Sequence, residues 1–444
     1  MIVAGVVLLR LPGVAAAEPL TWLDCFFTST SAVCVTGLSV RSTQHDFSFL
    51  GQLIILLLIQ MGGLGFITLS SSLLMQIRHK VAISQAVYLR DTLGASTGDN
   101  LGRLLLRCMR IVFFCEALGA ALLFVPFSLR VPPGQGWLRN VPRAAWDAIF
   151  HSISAFCNAG FSTWDSSLAE FVGDPWVNAV TCALIVLGGL GFFVLTDVEA
   201  WWRTRRAERR YRLPFQTHVV LRTSITLIVV GAALIWIGEH TNAATVGTTS
   251  WWTQGMAAVF QSVTARTAGF FTIDLAKCSS FSLAVLIILM FIGGSPGSAA
   301  GGVKTTTAAV LFTLAAGALR PGREPSFRHR SFGLVTSRSA VALFFVAALL
   351  VVGGTLFLLL VETSGTPMAR ARGQFVDYAF EATSAFGTVG LSTGVTATLT
   401  PAGRMLLIVL MFLGRVGPLG LISATLRGGV RPVIRYPNED IQVG

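Results

Sequence analysis

Long apolar runs alternate with short polar segments along the whole chain, in an order that repeats four times. Each repeat has a long apolar run, a shorter one, a glycine-containing segment and another long run. A run of about 20 apolar residues can cross a bilayer as a helix, whereas one of about a dozen is too short. The pattern therefore predicts an all-α membrane protein with eight spans and four half-length helices.

The repeats are expected at residues 1–80, 81–213, 214–320 and 321–444, the last including a short C-terminal tail. In each, one glycine follows small or hydroxylated residues just after the half-length helix; these glycines are Gly37, Gly160, Gly269 and Gly390. Recurrence at a long, regular period indicates repeated structural units. Four copies imply one composite site, with the units arranged around one central pore.

Composition agrees with a location in the lipid bilayer. Hydrophobic residues make up 53% of the chain and charged residues 12%, whereas soluble domains carry about 25% charged residues. The net charge of +12 comes from arginines in short loops between the apolar runs, which indicates membrane orientation and argues against nucleic-acid binding. The seven cysteines form no CxxC pair, so we expect neither disulfides nor a zinc site.

Arginine placement also predicts the orientation. The segments 78–110, 203–222 and 320–338 are the most basic, and positively charged loops stay on the cytoplasmic side. The glycine segments carry more balanced charge, so they face outward. With an even number of spans, both termini of this multi-pass plasma-membrane protein are expected in the cytoplasm.

Irregular backbone at membrane depth is tolerated only where it is buried in protein or lines a water-filled path. Four glycine loops around one axis would present backbone carbonyls and hydroxyl oxygens to a dehydrated cation, which is how ion filters work. Glycine allows the backbone to aim its carbonyls inward. The predicted activity is therefore cation passage.

The motifs Ala32-Val33-Cys34-Val35-Thr36-Gly37-Leu38 and Phe386-Gly387-Thr388-Val389-Gly390-Leu391-Ser392, together with the four glycine positions, resemble the Trk/Ktr/HKT superfamily of potassium transporters. Within it, the chain is most similar to the eight-span Ktr-type subunit. The resemblance implies K+ uptake through a selectivity filter in which the backbone carbonyls of the four glycines bind K+. Their neighbours would supply further carbonyls; the expected filter residues are Thr36, Gly37, Ala159, Gly160, Ala268, Gly269, Val389 and Gly390.

The second long run of the third repeat cannot form one unbroken helix. Pro296 removes a backbone donor, and five glycines surround it. The resemblance implies that this stretch is an intramembrane loop that gates the pore. The expected gate residues are Gly293, Gly294, Ser295, Pro296, Gly297, Gly301, Gly302, Lys304 and Arg415.

Three basic residues stand out within the apolar segments. Arg415 lies inside the last span, and the resemblance places it below the filter, where it repels cations or tethers the gate; a structural arginine satisfied by carbonyls is the alternative. Lys304 either contacts the gate or reaches toward the cytoplasm. Arg266 is expected to brace the third loop through a carboxylate such as Asp274 or Glu381.

Glycine pairs in the first two repeats have a simpler interpretation. Gly62-Gly63 and Gly188-Gly189 precede similar Leu-Gly-Phe sequences, and small residues let helices approach closely. We expect these pairs to pack against the half-length helices.

Partners follow from the resemblance alone. It implies a homodimer in the bilayer and a cytosolic ring of nucleotide-binding regulatory subunits of the KtrA or TrkA type, because no GxGxxG motif follows a strand here. No organic cofactor is expected, and Na+ stimulation stays open.

Two other functions compete with K+ uptake. One is a sodium-selective or sodium-translocating member of the same superfamily, although some of those relatives carry serine where this chain has Gly37. The other is a membrane enzyme using Glu116, Asp197 and Glu199, which the scattered histidines disfavour. We therefore expect no catalytic residues.

Overall fold

A computed structural model describes residues 1–78, 101–130, 137–206, 213–319, 326–327, 330–364 and 373–417. The regular secondary structure of these residues is almost entirely helical, and the only strands among them are β1 (Ser326–Phe327) and β2 (Arg330–Ser331), which pair antiparallel. The predicted all-α class is confirmed.

Helices α1 to α7 come from the first two repeats: Ile2–Leu9, Trp22–Val33, Phe49–Arg78, Leu101–Leu129, Trp137–Cys157, Pro175–Leu190 and Phe192–Arg206. Helices α8 to α14 follow: Phe215–Glu239, Trp251–Thr264, Ser280–Phe291, Thr305–Ala318, Leu334–Glu362, Phe375–Gly387 and Pro401–Val416. Short 3-10 turns lie at Ala169–Phe171, Leu275–Lys277 and Thr396–Thr398. The helices before the four glycine segments are α2, α5, α9 and α13, and we call them pore helices. Three have 12–14 residues, as predicted, whereas α5 has 21 residues and is longer than the predicted half-length helix.

Local sequence explains where several helices begin. Thr21 and Asp24 form a capping box at α2, in which each side chain accepts a hydrogen bond from the other residue's backbone N–H. Asp174 caps α6 and Thr400 caps α14, each directly before a proline at the first helical position. These caps satisfy amide groups that would otherwise lie unpaired at the helix start.

Three described helices are long and apolar enough to cross a membrane: Leu106–Leu129 within α4, Phe215–Glu239 and Leu334–Glu362. The pair α6 and α7 passes the same test together. Other expected spans are shorter or extend beyond the described residues, so the number eight stays a prediction. The first apolar run, residues 1–17, does not form one continuous helix, because α1 ends at Leu9 and Gly13 then adopts a positive φ of 85°.

The third repeat has the predicted break. Helix α10 ends at Phe291, helix α11 begins at Thr305, and residues 292–304 between them form an irregular segment that we call the intramembrane loop. The second repeat holds a break that the sequence pattern did not predict. Helices α6 and α7 meet at Gly191 with a bend of 104°, where one continuous span was expected.

Four hydrophobic clusters join the repeats in a closed order. The first and second repeats share a cluster with Ile55 and Phe150, and the second and third share one with Leu184 and Phe260. The third and fourth meet around Leu286 and Phe380, and the fourth and first around Leu407 and Phe27. Apolar burial therefore brings the last repeat back against the first.

Glycines in the spans let the pore helices approach their backbones. A Cβ atom added to Gly62, Gly188 or Gly414 would lie under 3.0 Å from a pore-helix carbonyl oxygen, of Val33, Phe156 and Phe386 respectively. Real Cβ atoms almost never come so close, so only glycine fits. The packing interpretation of Gly62 and Gly188 is confirmed, and Gly414 has the same role in the fourth repeat.

Candidate functional site

The four repeated glycines lie side by side in one ring. A Cβ atom on Gly37 would lie 3.0 Å from the Cα of Gly160, and one on Gly160 would lie 2.8 Å from the Cα of Gly269. The same atom on Gly269 would lie 3.3 Å from the Cα of Gly390, and one on Gly390 would lie 3.0 Å from the Cα of Gly37. We call this arrangement the glycine ring; it follows chain order and closes on itself.

Each ring glycine also faces the carbonyl of the residue before the next one. In ring order, starting from Gly37, the facing carbonyls belong to Ala159, Ala268, Val389 and Thr36. A Cβ atom on each ring glycine would lie under 3.0 Å from the carbonyl oxygen that faces it. A side chain at any ring position would therefore push a neighbouring carbonyl out of place. The structure brings together all eight residues that the sequence assigned to the filter.

The four loops share an unusual backbone path. The ring glycines have φ between 70° and 95°, and the residue two positions earlier also has positive φ: Val35, Asn158, Thr267 and Thr388. A left-handed conformation is costly for β-branched side chains such as valine and threonine. Its recurrence in four loops shows that the fold imposes it.

Hydroxyl groups of the pore helices hold these loops in place. The hydroxyls of Ser31, Ser154 and Thr264 donate to the carbonyls just after the ring glycines, those of Leu38, Phe161 and Phe270, over 2.6–2.7 Å. In the fourth loop, Ser384 Oγ accepts from the amide of Gly390 over 3.1 Å. These four residues were not among the predicted filter residues, although a hydroxylated residue lies five or six positions before each ring glycine in the sequence.

The ring leaves a set of carbonyl oxygens without protein donors. Within the described part of the chain, neither the ring glycines nor the residues preceding them use their carbonyls in a hydrogen bond. Buried carbonyls normally have a partner, because leaving one unpaired costs about 1–3 kcal/mol. Eight such oxygens around one ring offer ligands of the kind that hard cations prefer.

The intramembrane loop packs directly against the fourth glycine loop. A Cβ atom on Gly301 would lie under 3.0 Å from Oγ1 of Thr388, and one on Gly302 would lie 3.3 Å from the Cα of Gly387. Gly293 lies against the carbonyl of Gly301, and Ile292 pairs with Val303 in a parallel bridge, so the two ends of the loop meet.

The bend in the second repeat receives the same loop. The amide of Ser295 donates to the carbonyl of Gly189 over 3.1 Å, and the amide of Phe192 donates to the carbonyl of Gly297 over 3.1 Å. A Cβ on Gly191 would lie 2.6 Å from the carbonyl oxygen of Pro296. The break at Gly191 therefore exposes backbone groups that bind the loop.

Arg415 links the loop to the first repeat. Its Nη1 donates to the carbonyl of Ala299 and its Nη2 donates to the carbonyl of Gly62 over 2.7 Å. The planar guanidinium can bridge two acceptors, which a lysine could not do in the same way. Lys304 donates to the carbonyl of Ala300 over 2.6 Å, so it contacts the loop.

The prediction that Arg266 pairs with a carboxylate is wrong. Arg266 is 7% exposed and its Nη2 donates to Ser224 Oγ over 3.1 Å, on helix α8. Asp274 pairs with Lys277 instead, and Glu381 accepts from Ser392 and Thr396. Among the described residues, neither carboxylate binds Arg266, because each already interacts with side chains of its own loop.

An ion cluster outside the ring connects the first and fourth repeats. Asp24 is 2% exposed and lies 3.1 Å from Arg41 Nε and 3.2 Å from Arg404 Nη1. Arg404 also donates to the carbonyls of Ala397 and Leu399. Two arginines compensate one buried carboxylate here, so the cluster fastens the last repeat to the first pore helix. No group of three or more potential metal-ligating side chains occurs among the described residues.

Comparison with known proteins agrees with this architecture. The family model described as "TrkH: Cation transport protein" matches residues 4–426. The Ktr system potassium uptake protein B of Vibrio alginolyticus is 35% identical over 444 residues, which cover 100% of this chain and 92% of that protein. The potassium/sodium uptake protein NtpJ of Enterococcus hirae is 34% identical over 100% of this chain and 95% of its own length.

The crystal structure of the potassium transporter TrkH from Vibrio parahaemolyticus superimposes with a TM-score of 0.67 at 20% identity, covering 92% of this chain and 79% of that one. This likeness extends to the fold. A family model that matches nearly the whole chain identifies a multi-pass membrane transporter without catalytic chemistry. The chain belongs to the TrkH family of cation transport proteins.

Proposed function

We propose that this protein takes up K+ across the plasma membrane as the translocating subunit of a Ktr/Trk-type system. The glycine ring is the selectivity filter, and carbonyls of Gly37, Gly160, Gly269 and Gly390 replace water around the ion. The observation that carries this proposal is the set of ring carbonyls without hydrogen-bond donors. The names of the most similar relatives support K+ as the ion.

The intramembrane loop is the gate of this pathway. Its contact with Thr388 supports a position against the filter, and its five glycines permit alternative backbone paths. Arg415 tethers the loop in the described conformation. Release of that tether would move the loop away from the ring and open the path.

Transport needs no chemistry beyond dehydration and binding. The membrane potential supplies the driving force, about 2.3 kcal/mol per charge for every 100 mV. We expect a homodimer with both termini in the cytoplasm, where the basic segments bind a ring of nucleotide-binding regulatory subunits. The relatives named as Ktr system components support a separate regulatory partner.

A sodium-translocating transporter is the second candidate. It is favoured by the similarity to NtpJ, which is named a potassium/sodium uptake protein. Glycine at all four ring positions favours K+ instead. Measuring Na+ uptake beside K+ uptake, each with and without the other ion, separates the two functions and also detects stimulation by Na+.

The test is K+ uptake in a bacterial strain that lacks its own potassium transporters, with Gly390→Ser beside the wild type. Gly394→Ser is the matched control, since both glycines have positive φ, 91° and 95°, but a Cβ on Gly394 meets nothing within 4 Å. We expect wild type and Gly394→Ser to restore growth at low K+, and Gly390→Ser to lose K+ selectivity or uptake. Normal selective uptake by Gly390→Ser would refute the filter assignment.

A further inference from the structure

Two of the four filter loops are tied to their own pore helices by the same pair of side-chain positions. The first position lies nine residues before the ring glycine, on the pore helix, and holds His151 in the second repeat and Glu381 in the fourth. The other lies two residues after the glycine and holds Ser162 and Ser392. We call each pair a brace.

In the fourth repeat, the brace is a fully buried carboxylate. Glu381 is 0% exposed, and its Oε1 accepts from the hydroxyl of Ser392 while its Oε2 accepts from Thr396 Oγ1 over 2.7 Å. Ser392 Oγ also accepts from the amide of Gly394 over 2.9 Å. Both carboxylate oxygens are therefore used to hold the segment that leaves Gly390.

The second repeat makes the same arrangement with an imidazole. His151 is 1% exposed; its Nδ1 lies 2.7 Å from the carbonyl of Asp147 and its Nε2 lies 2.9 Å from Ser162 Oγ. A carbonyl can only accept, so the network assigns the proton to Nδ1, and Nε2 accepts from the Ser162 hydroxyl. As in the fourth repeat, the serine Oγ accepts from an amide two residues later, that of Trp164, over 2.9 Å.

The third repeat lacks its brace. The equivalent helix position holds Gln261, which lies eight residues before Gly269 but three before Thr264, just as His151 lies three before Ser154. Gln261 is 0% exposed, and among the described residues neither polar atom of its side chain has a hydrogen-bond partner. The serine position holds Phe271. The outer segment of this loop is held by the second repeat instead. The amide of Phe271 donates to Ser167 Oγ over 3.3 Å, and its carbonyl accepts from the amide of Leu168 over 3.0 Å.

The first repeat also holds its loop differently. Its two positions carry Thr28, which is buried, and Ser39, which is exposed, and no hydrogen bond joins them in the described residues. The outer segment is tied through Arg41 to Asp24. Because the ring runs in chain order, the braced second and fourth loops lie opposite each other.

We propose that Glu381 and His151 are positioning residues for ion selectivity, which hold two opposite walls of the filter at a fixed separation through Ser392 and Ser162. This inference rests on the proposed filter function. Neither side chain contacts the ion. Each keeps the carbonyls of its loop from shifting when a smaller cation such as Na+ enters.

Buried hydrogen bonds give the braces their effect. Replacing Glu381 by leucine leaves the Ser392 and Thr396 hydroxyls without their acceptor, and the loop can relax to find new partners. Selectivity between K+ and Na+ depends on small differences in carbonyl position. We therefore expect a loosened loop to lower this selectivity before it lowers the uptake rate. In the third repeat, Gln261 at the equivalent position makes no side-chain hydrogen bond among the described residues, so substitutions there break no such contact.

The experiment compares initial uptake rates of Rb+ and Na+ in the transport-deficient strain, at matched amounts of protein in the membrane. The variants are Glu381→Leu, Ser392→Ala, their double variant, His151→Phe and His151→Gln. We expect the ratio of the Rb+ uptake rate to the Na+ uptake rate to fall about three- to tenfold in Glu381→Leu, Ser392→Ala and His151→Phe, because each removes a hydrogen-bonding group of a brace. The double variant should fall no further than Glu381→Leu, because both changes break the same interaction.

Conservative rescue and a matched control complete the test. His151→Gln keeps a side-chain oxygen that can accept from Ser162, so it should retain a ratio near the wild-type value, unlike His151→Phe. Gln261→Leu changes the equivalent position of the third repeat and should leave the ratio unchanged. A wild-type ratio in Glu381→Leu and His151→Phe would overturn the proposal, while loss of selectivity in Gly390→Ser would still uphold the filter itself.

Discussion

Gly301 of the intramembrane loop lies against the side chain of Thr388 in the fourth glycine loop. A Cβ atom added to Gly301 would lie under 3.0 Å from Oγ1 and 2.8 Å from Cγ2 of Thr388. Since real Cβ atoms almost never come so close, any other residue at position 301 forces either the intramembrane loop or the fourth glycine loop to move. The proposed gate and the proposed filter are therefore in direct contact.

Gly301→Ala should therefore impair transport. We expect the maximal K+ uptake rate to fall several-fold, because the added methyl group pushes Thr388 and displaces the filter backbone beside it. Thr388→Gly removes the opposing side chain and suits the φ of 51° at that position, so the double variant should recover part of the rate. Gly255→Ala, where a Cβ meets nothing within 4 Å, is the control. Equal rates for Gly301→Ala and the wild type would exclude this contact as a functional link.

Arg415→Met should release the intramembrane loop. The substitution removes the hydrogen bonds to Ala299 and Gly62 and also removes a half-buried charge from an apolar segment. We expect several-fold faster K+ uptake without the regulatory subunits, measured as tracer flux in proteoliposomes. Arg415→Lys should give an intermediate rate, since an ammonium reaches one carbonyl more readily than both. Arg203→Gln is the control, because Arg203 is exposed and pairs with Glu199 one turn earlier on the same helix. A lower flux in Arg415→Met would contradict the tether.

Gly414→Ala should destabilise the protein. A Cβ at this position would lie under 3.0 Å from both the carbonyl oxygen and the carbonyl carbon of Phe386, which belong to backbone and cannot rotate away. Overpacking of this kind costs about 1–3 kcal/mol. Thermal unfolding in detergent, followed by size-exclusion chromatography after heating, should show a lower midpoint.

Gly353→Ala is the matched control for Gly414→Ala. Gly353 also lies within a helix, but a Cβ there meets nothing within 4 Å. Alanine favours the helix over glycine by about 0.8–1.0 kcal/mol, so this variant should be as stable as the wild type or more stable. Similar midpoints for the two variants would show that the close approach at Gly414 is not rigid.

Local chemistry made much of the fold predictable from the sequence. Apolar run length identified the spans α8 and α12, and the dozen-residue runs identified the pore helices α2, α9 and α13, while α5 is longer, with 21 residues. Pro296 with its surrounding glycines predicted the break between α10 and α11, because proline and glycine act on the backbone where they stand. The four glycines were found because the same backbone requirement recurs four times.

The bend at Gly191 and the partner of Arg266 could not be found in this way. Gly191 lies in a sequence almost identical to that around Gly65, yet α3 continues through Gly65 while α6 ends before Gly191. The difference comes from the intramembrane loop, which binds the backbone of the second repeat. Arg266 bonds to a serine hydroxyl on another helix, and hydroxyls are too common in this chain to mark a partner.

The sequence by itself determined the membrane class, the helical pattern, the glycine positions and the broken helix, because each depends on residues close together in the chain. Tertiary structure alone decided the closed order of the ring, the position at which the intramembrane loop packs, and which glycine loops have a brace. These features join residues far apart in sequence, such as Arg415 and Gly62, which are separated by 353 positions. Many of their acceptors are backbone carbonyls, which every residue possesses, so no side-chain pattern could reveal them.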